Sequence, residues 1–438
     1  MTKILWVSNH PAYPSGYGAQ TRQVGRRIAR TPGFEIEFVA NDGTRGNSEW
    51  EGLLVRGSGY DQYSRDSVRE DLERSGADWV ISLYDAWVYT EGMDDPFGGL
   101  KNVAGWVPID HYPVPISLWS WLGHPHTAIA MSRFGEQWLQ SLSDQWRDKP
   151  SNQFPQFKPF PVRYAPHALN DEIRPVESNF RQSIGVPEDA FLIGIVAANT
   201  GSMVYDRKGM GDMTAALSWF LQDHPDAYVY IHSNTEPKSN EIWLPGLHTF
   251  NGVPKAQVRW ADQYRLKKQD YSDADMAAMY SAFNVLLSTS RGEGFGVPVI
   301  EAQACGTPVI VSNFTAQTEL VADQPWSIDR MGALRAASGW LVAVDLDYDG
   351  KQAANWGKPI VTSIALALRE AYDRLTDPAT APGYRDAALA KAAQYRADVV
   401  FDTYWRPILD EMAKGAIRPP VRAPRAERRA AKKGKKAA

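Results

Sequence analysis

Ser290-Arg291-Gly292-Glu293-Gly294-Phe295-Gly296-Val297-Pro298-Val299-Ile300-Glu301 is the stretch on which the reading of this chain turns. It follows the apolar run Val285–Ser288, whose length suits a buried strand. Pro298 suits the first turn of a helix, so the glycines lie in a strand-to-helix loop. In a parallel sheet such loops stand at the carboxyl ends of strands, where ligands bind. The loop carries one carboxylate, Glu293, and the helix a second, Glu301. Backbone amides of the loop and the two carboxylates suit a polyhydroxyl ligand. The helix dipole alone favours a glutamate near a helix start. It does not explain the glycines around Glu293.

The same alternation extends in both directions. Strands are expected at Ile4–Ser8, Glu35–Ala40, Trp79–Leu83, Val103–Val107 and Thr127–Met131, with a helix from about Ala19 to Arg30 after the first. A second series is expected at Phe191–Ala197, Tyr228–His232, Val285–Ser288 and Val309–Ser312. Strands alternating with helices predict an α/β protein with parallel, doubly wound sheets. A length of 438 residues fits two domains better than one. Asp144–Pro161, rich in Pro, Gln, Asn and Asp, predicts a surface loop of the first half. The boundary is expected at residues 168–177, giving domains 1–172 and 173–398. Helical periodicity dominates Lys358–Leu375 and Asp386–Met412.

Charge patterning divides the chain again. The net charge is −4, but residues 416–438 hold nine Lys or Arg and one Glu, so residues 1–415 carry −12. The tail has no apolar period and is expected to be disordered. Contact with a polyanion or a membrane surface and a plain solubilising role are both open for it. A single cysteine, Cys305, excludes an intrachain disulfide and any cysteine-based zinc site. It is expected to pack as a small apolar residue. The longest apolar run, Phe191–Ala198, is far shorter than the ~18 residues of a membrane span. A strand follows directly on Met1-Thr2-Lys3, so a soluble, cytoplasmic protein is expected.

Two further loops carry chemistry. Pro14-Ser15-Gly16-Tyr17-Gly18-Ala19 joins the first strand to a helix, and Gly16 and Gly18 suit either an anion site or a tight turn. Thr21 breaks the full dinucleotide fingerprint. Asn199 and Arg207-Lys208-Gly209 follow the first strand of the second series. A guanidinium beside an ammonium can clamp a diphosphate, though an Arg-Lys pair is more often a solvated turn.

Glu293 through Glu301, continued by Ala302-Gln303-Ala304-Cys305-Gly306-Thr307-Pro308-Val309-Ile310, resembles the E-x7-E signature of the retaining glycosyltransferases of family 4. Arg207-Lys208-Gly209 resembles that family's phosphate clamp. Ala130-Met131-Ser132-Arg133-Phe134-Gly135, Ala165-Pro166-His167-Ala168 and Tyr271-Ser272-Asp273-Ala274-Asp275-Met276 resemble three further family segments. The resemblance covers most of residues 1–415. It implies a GT-B fold, two Rossmann-like domains facing a central cleft. A C-terminal helix at about 399–415 would complete the first domain, which would bind the acceptor.

The resemblance also implies site roles. Glu301 would bind the ribose of a nucleotide-diphosphate sugar, and Glu293 would contact the transferred sugar. Arg207 and Lys208 would neutralise the diphosphate. Gly294, Phe295, Gly296 and Val297 would line the donor site, with Asn199 and Gly18 nearby, and Gly16 would approach the phosphates from the other domain. Asp110 and His111 stand where the family carries a cleft histidine, and either suits contact with the sugar.

Glycosyl transfer builds oxocarbenium character on the sugar and negative charge on the departing phosphate. Fixed cations stabilise that charge as it forms. No Asp-x-Asp motif is placed at a strand end, so neither a metal nor a cofactor is expected. His232 and Asn234 are candidates for the base pocket. Trp106, Trp119 and Trp121 suit either an acceptor-stacking surface or, more often, core. Two alternatives are an epimerase or hydrolase of the same fold and a non-catalytic nucleotide-sugar binder. The acceptor and the donor sugar are not legible.

Overall fold

A computed structural model describes residues 1–85, 88, 102–122, 127–148, 158–200, 206–236 and 241–415. The basic tail and residues 149–157 of the expected loop lie outside the described residues. Two sheets dominate. The first has eight strands in the spatial order Ser48–Trp50, Leu53–Arg56, Phe34–Ala40, Thr2–Ser8, Trp79–Leu83, Val103–Val107, Thr127–Ala130 and Val162–Tyr164. Pairing is parallel except in the edge hairpin Ser48–Trp50/Leu53–Arg56. The second has seven, ordered Val258–Trp260, Ala227–His232, Phe191–Val196, Val285–Ser288, Val309–Ser312, Gly339–Val342 and Leu334–Ala336. Only its last pair is antiparallel.

Trp79–Leu83, Val103–Val107 and Phe191–Val196 are buried at every residue. Such unbroken apolar runs suit central parallel strands covered on both faces. In each sheet the strand order reverses once beside the first strand. The reversal lies between Thr2–Ser8 and Trp79–Leu83 in one sheet, and between Phe191–Val196 and Val285–Ser288 in the other. Ligands of open α/β sheets bind at such switch points, and here the loops leaving them meet.

The chain returns to the first sheet at its end. A helix runs through Ala397–Val400, the π-type turn Phe401–Trp405 and Arg406–Ala413. Trp405 is fully buried between Trp6 and Trp106, at ring-centroid distances of 5.8 and 4.9 Å. Arg163 on the last strand of the first sheet pairs with Glu411 at 2.8 Å.

Two expectations are corrected. Asp144–Pro161 is not a loop from its start, because the helix Arg133–Asp148 continues through Asp148, with Leu139, Leu142 and Trp146 buried on one face. The helix expected from Lys358 begins at Val361, after the strand Ala354–Pro359. That strand forms an unexpected hairpin with Val344–Asp349. Asp345, Asp347 and Asp349 alternate with Val344, Leu346 and Tyr348, a period-2 pattern disguised by residues that strands usually avoid.

A candidate active site between the two sheets

The loop 289–296 leaves the switch point of the second sheet and touches the first. A Cβ on Gly292 would lie 2.1 Å from the Asp110 carbonyl oxygen, and one on Gly294 would lie 2.3 Å from the Pro108 Cβ. These two glycines therefore serve close approach between the halves. Gly296, at φ +114°, starts the helix Val297–Ala304 in a conformation that side chains disfavour.

Between the halves lies a cavity of about 580 Å³. Gly16, Tyr17, Asp85, Asp110, His111 and His167 line it from the first half. Arg207, Lys208, Glu293–Pro298 and Trp356 line it from the second half. Sequence-distant candidates thus meet at one place. The Glu293 carboxylate lies 2.5 Å from Lys208 Nζ and 3.4 Å from Arg207 Nη1. Burial alone would raise the Glu293 carboxyl, but the charges of Lys208 and Arg207 and the Lys208 hydrogen bond together hold it below the usual range. Burial pulls the Lys208 ammonium down, against the pull of Glu293. Arg207 is disfavoured by burial, yet Glu293, Asp110 and Asp85 together hold its charge more firmly than usual.

Asp110 and His111 form a second cluster. His111 Nδ1 lies 2.6 Å from the Asp110 carboxylate and donates to it. His111 Nε2 is buried and has no partner among the described residues. Burial pushes the Asp110 carboxyl up, but His111 and Arg207 outweigh it and keep it low. Trp356, from the unexpected hairpin, covers the imidazole at a centroid distance of 3.6 Å. The hairpin is anchored on the first half. Tyr112 and Asn355 exchange two backbone hydrogen bonds of 3.1 and 2.6 Å, and Ile116 N–H donates to the Gln352 carbonyl at 2.9 Å.

Glu301 lies on the helix after the loop, apart from these cations. Tyr280 Oη donates to it at 2.9 Å. Burial pushes its carboxyl up to about 7, only partly opposed by the Tyr280 hydrogen bond.

Several candidates do not reach the cavity lining. Gly18 N–H donates to Ser15 Oγ at 3.0 Å, and a Cβ there would strike the Tyr13 carbonyl, so this glycine closes a tight turn. Asn199 is buried, donates to the carbonyls of Asn234 and Ile242, and accepts from Ile242 N–H, which ties two chain segments together. His232 packs on Tyr271, and Asn234 donates to Glu236 and Glu241. Trp106 and Trp121 are core: Trp106 Nε1 donates to the Ala165 carbonyl, and the Trp121 ring fills the space left by Gly105. Trp119 packs edge-on against Trp146. Cys305 is buried and burial pushes its thiol up to about 12, in keeping with an inert apolar role.

Sequence reasoning missed Tyr17, Asp85, His167 and Trp356 as lining residues. Tyr17 Oη donates to Asp85 at 2.9 Å, an aromatic hidden inside a glycine loop. His167 sits among Tyr17, Trp106 and Phe295, and burial lowers its imidazole to about 3, so the ring is neutral.

Comparison with known proteins agrees with this geometry. Residues 257–333 match the family model of the glycosyl transferases group 1. This group 1 segment contains Tyr280, Glu293 and Glu301. A curated relative, O-antigen chain mannosyltransferase B of Escherichia coli, is 43% identical over 51 residues, 12% of this chain and 13% of the relative. The match thus spans about an eighth of that relative's length. Among solved structures, sucrose-phosphate synthase from Thermosynechococcus elongatus is similar with a TM-score of 0.67 and 17% identity, covering 94% of this chain and 100% of that one. The Anabaena protein HepE, solved in complex with UDP and glucose, is similar with a TM-score of 0.59 and 13% identity, covering 94% and 100%. The fold is GT-B, two Rossmann-like halves about a cleft. Among the described residues no helix is long and apolar enough to cross a membrane.

Proposed function

We propose that this chain transfers a glycosyl group from a nucleotide-diphosphate sugar to an acceptor hydroxyl, with retention at the anomeric carbon and without a metal ion. The observation that carries this reading is the half-buried Arg207–Lys208–Glu293 cluster at the mouth of the helix Val297–Ala304. The group 1 match over the same loop and the UDP and glucose held by the Anabaena protein support the donor class.

The residues divide the work by charge. Arg207 and Lys208 receive the diphosphate and stabilise the charge that grows as the sugar–phosphate C–O bond breaks. The helix N-terminus beside them favours an anion as well. Glu293, kept ionised by the two cations, accepts hydrogen bonds from hydroxyls of the transferred sugar. His111 Nε2, buried and without a partner among the described residues, hydrogen-bonds another hydroxyl. Glu301 accepts from the ribose hydroxyls. The acceptor oxygen forms its bond to the anomeric carbon on the face that the phosphate leaves. The acceptor proton passes to a phosphate oxygen, so no protein nucleophile or strong base is needed.

Calorimetry with UDP, GDP and ADP identifies the nucleotide, and NMR of reactions with the matching hexose donors follows transfer to an acceptor panel. Expected are binding of one nucleotide, product with the donor's anomeric configuration, and transfer that survives EDTA. Absence of binding to all three nucleotides, or isomerisation of the donor without transfer, would overturn the reading.

A further inference from the structure

The hairpin Val344–Asp349/Ala354–Pro359 is braced against both halves. Toward the first half, the Asn355 side chain donates to the Tyr112 carbonyl at 2.9 Å, beside the two backbone hydrogen bonds of the same pair. Gln352, in the turn, accepts from Ile116 N–H with its backbone carbonyl and from Ser117 Oγ with its side chain. Toward the second half, Gly357 N–H donates to the Arg291 carbonyl at 2.8 Å. The Arg291 side chain pairs with Asp347 on the other strand at 3.5 Å. A Cβ on Gly357 would lie 2.4 Å from Phe314 Cγ, so the strand lies flush against its own half there. Trp356 stands between these two sets of contacts, with its ring on His111.

We infer that Trp356 is a positioning residue for His111, holding the imidazole by its face while Asp110 holds it by Nδ1. This role rests on the reading that His111 hydrogen-bonds the transferred sugar, and it names the residue that keeps the imidazole in place to do so. The bond from Nδ1 to Asp110 ties down one edge of the ring and leaves the ring free to swing about that edge. The indole removes that freedom, with ring centroids 3.6 Å apart and planes at 49°. A group that touches substrate works only when packing locks its rotamer. With one edge and one face held, the polar atom left is the buried Nε2.

Asp110 and His111 are neighbours on one chain segment and move together, so Asp110 cannot index the imidazole to the other half. Trp356 can. A Cβ on Gly292 would lie 3.1 Å from Trp356 Cε3, so the loop that carries Glu293 packs against the indole as well. Trp356 thereby sets His111 and Glu293, the two groups assigned to the sugar, in one register across the cleft. Core packing does not account for this tryptophan. Trp106, Trp326 and Trp405 are fully buried, whereas Trp356 is only partly buried and lines the cavity.

The test compares the full-length native protein with Trp356→Ala and Trp356→Phe, using NMR of labelled histidines without ligand. His111→Ala assigns the His111 signals. In the native protein the His111 ring protons are expected upfield, under the indole, and the Nδ1 proton downfield and protected from exchange. Trp356→Ala is expected to lose both features, and Trp356→Phe, which keeps a ring face, to retain both in part. If Trp356→Ala does not fold, Trp356→Leu takes its place. Kinetics with UDP-glucose and GDP-mannose, read as release of the nucleotide, run beside the spectra. Trp356→Ala is expected to lower kcat about tenfold to a hundredfold, with most of the loss recovered in Trp356→Phe. KM and the affinity for UDP or GDP are expected to stay within about threefold. His111 signals unchanged in Trp356→Ala, or a fall in nucleotide affinity with kcat unchanged, would overturn the inference. If the native protein turns over neither donor and binds neither nucleotide, the proposed function fails, while the spectra still decide whether Trp356 holds His111.

Discussion

Glu293 and Glu301 share one loop-helix unit and sit in opposite surroundings. Glu293 faces two cations of a neighbouring loop, and they outweigh its burial. Glu301 faces a tyrosine hydroxyl, and burial wins, so its carboxyl rises to about 7. The difference teaches that spacing along the chain does not assign electrostatic roles. Contacts from other elements do. They also separate what each carboxylate contributes. Glu293 is held ionised beside Arg207 and Lys208, and Glu301 carries a carboxyl pushed up to about 7.

The largest expected effect comes from breaking the Glu293 side. Lys208→Ala removes a cation that we propose meets the developing phosphate charge, and leaves Glu293 with Arg207 at 3.4 Å. Losing one such preorganised group costs on the order of 10²–10³-fold in rate. Steady-state kinetics are expected to show that fall in kcat/KM. An unchanged rate would remove Lys208 from the clamp and erase the contrast between the two glutamates.

What the sequence disclosed follows the same division. Glu293 stood out as a carboxylate in a glycine-rich strand-end loop, whereas Arg207 and Lys208, alone more often a solvated turn, were singled out through the resemblance of their segment. The two-sheet architecture was legible because buried parallel strands read as unbroken apolar runs. Gly292 and Gly294 look ligand-facing in the sequence, but their close approach to Asp110 and Pro108 depends on where the other half docks. Trp356 was hidden because its hairpin alternates aspartates with apolar residues and because its partner, His111, is remote in sequence. Trp106 and Trp121, near Asp110 and His111 in sequence, suited a stacking surface or, more often, core, and packing makes them core.

The Glu301 side offers a smaller effect with a sharper signature. Its carboxyl titrates near 7 in the fold and near 4.5 in the unfolded chain. Across that window the folded state holds the extra proton, so this group lowers stability as pH rises from about 4.5 to about 7. Nucleotide affinity should move the other way. An ionised Glu301 accepts ribose hydroxyls better than a protonated one, by about tenfold for hydrogen bonds to a charged group. Calorimetric titrations between pH 5.5 and 8.5, a range of about three units around that pKa, are expected to show affinity rising through about 7. Glu301→Gln should flatten that rise and remove the group's share of the stability slope. A rise that persists in the variant would assign the titration elsewhere.

The smallest effect tests whether the Glu301 value is set at a distance. Asp273 adds to its upward shift and Arg22 opposes it, and these two form an ion pair of 3.5 Å between the halves. Both side chains are partly exposed, so the pair itself contributes little to stability. Asp273→Asn removes the like charge and frees Arg22 to act on Glu301 alone. Both changes favour the carboxylate. The affinity rise should therefore begin at lower pH than in the native protein, with the same plateau above it and a melting temperature nearly unchanged. A midpoint that stays in place would mean that burial alone sets Glu301, and that the two glutamates differ only in whether a cation lies within contact.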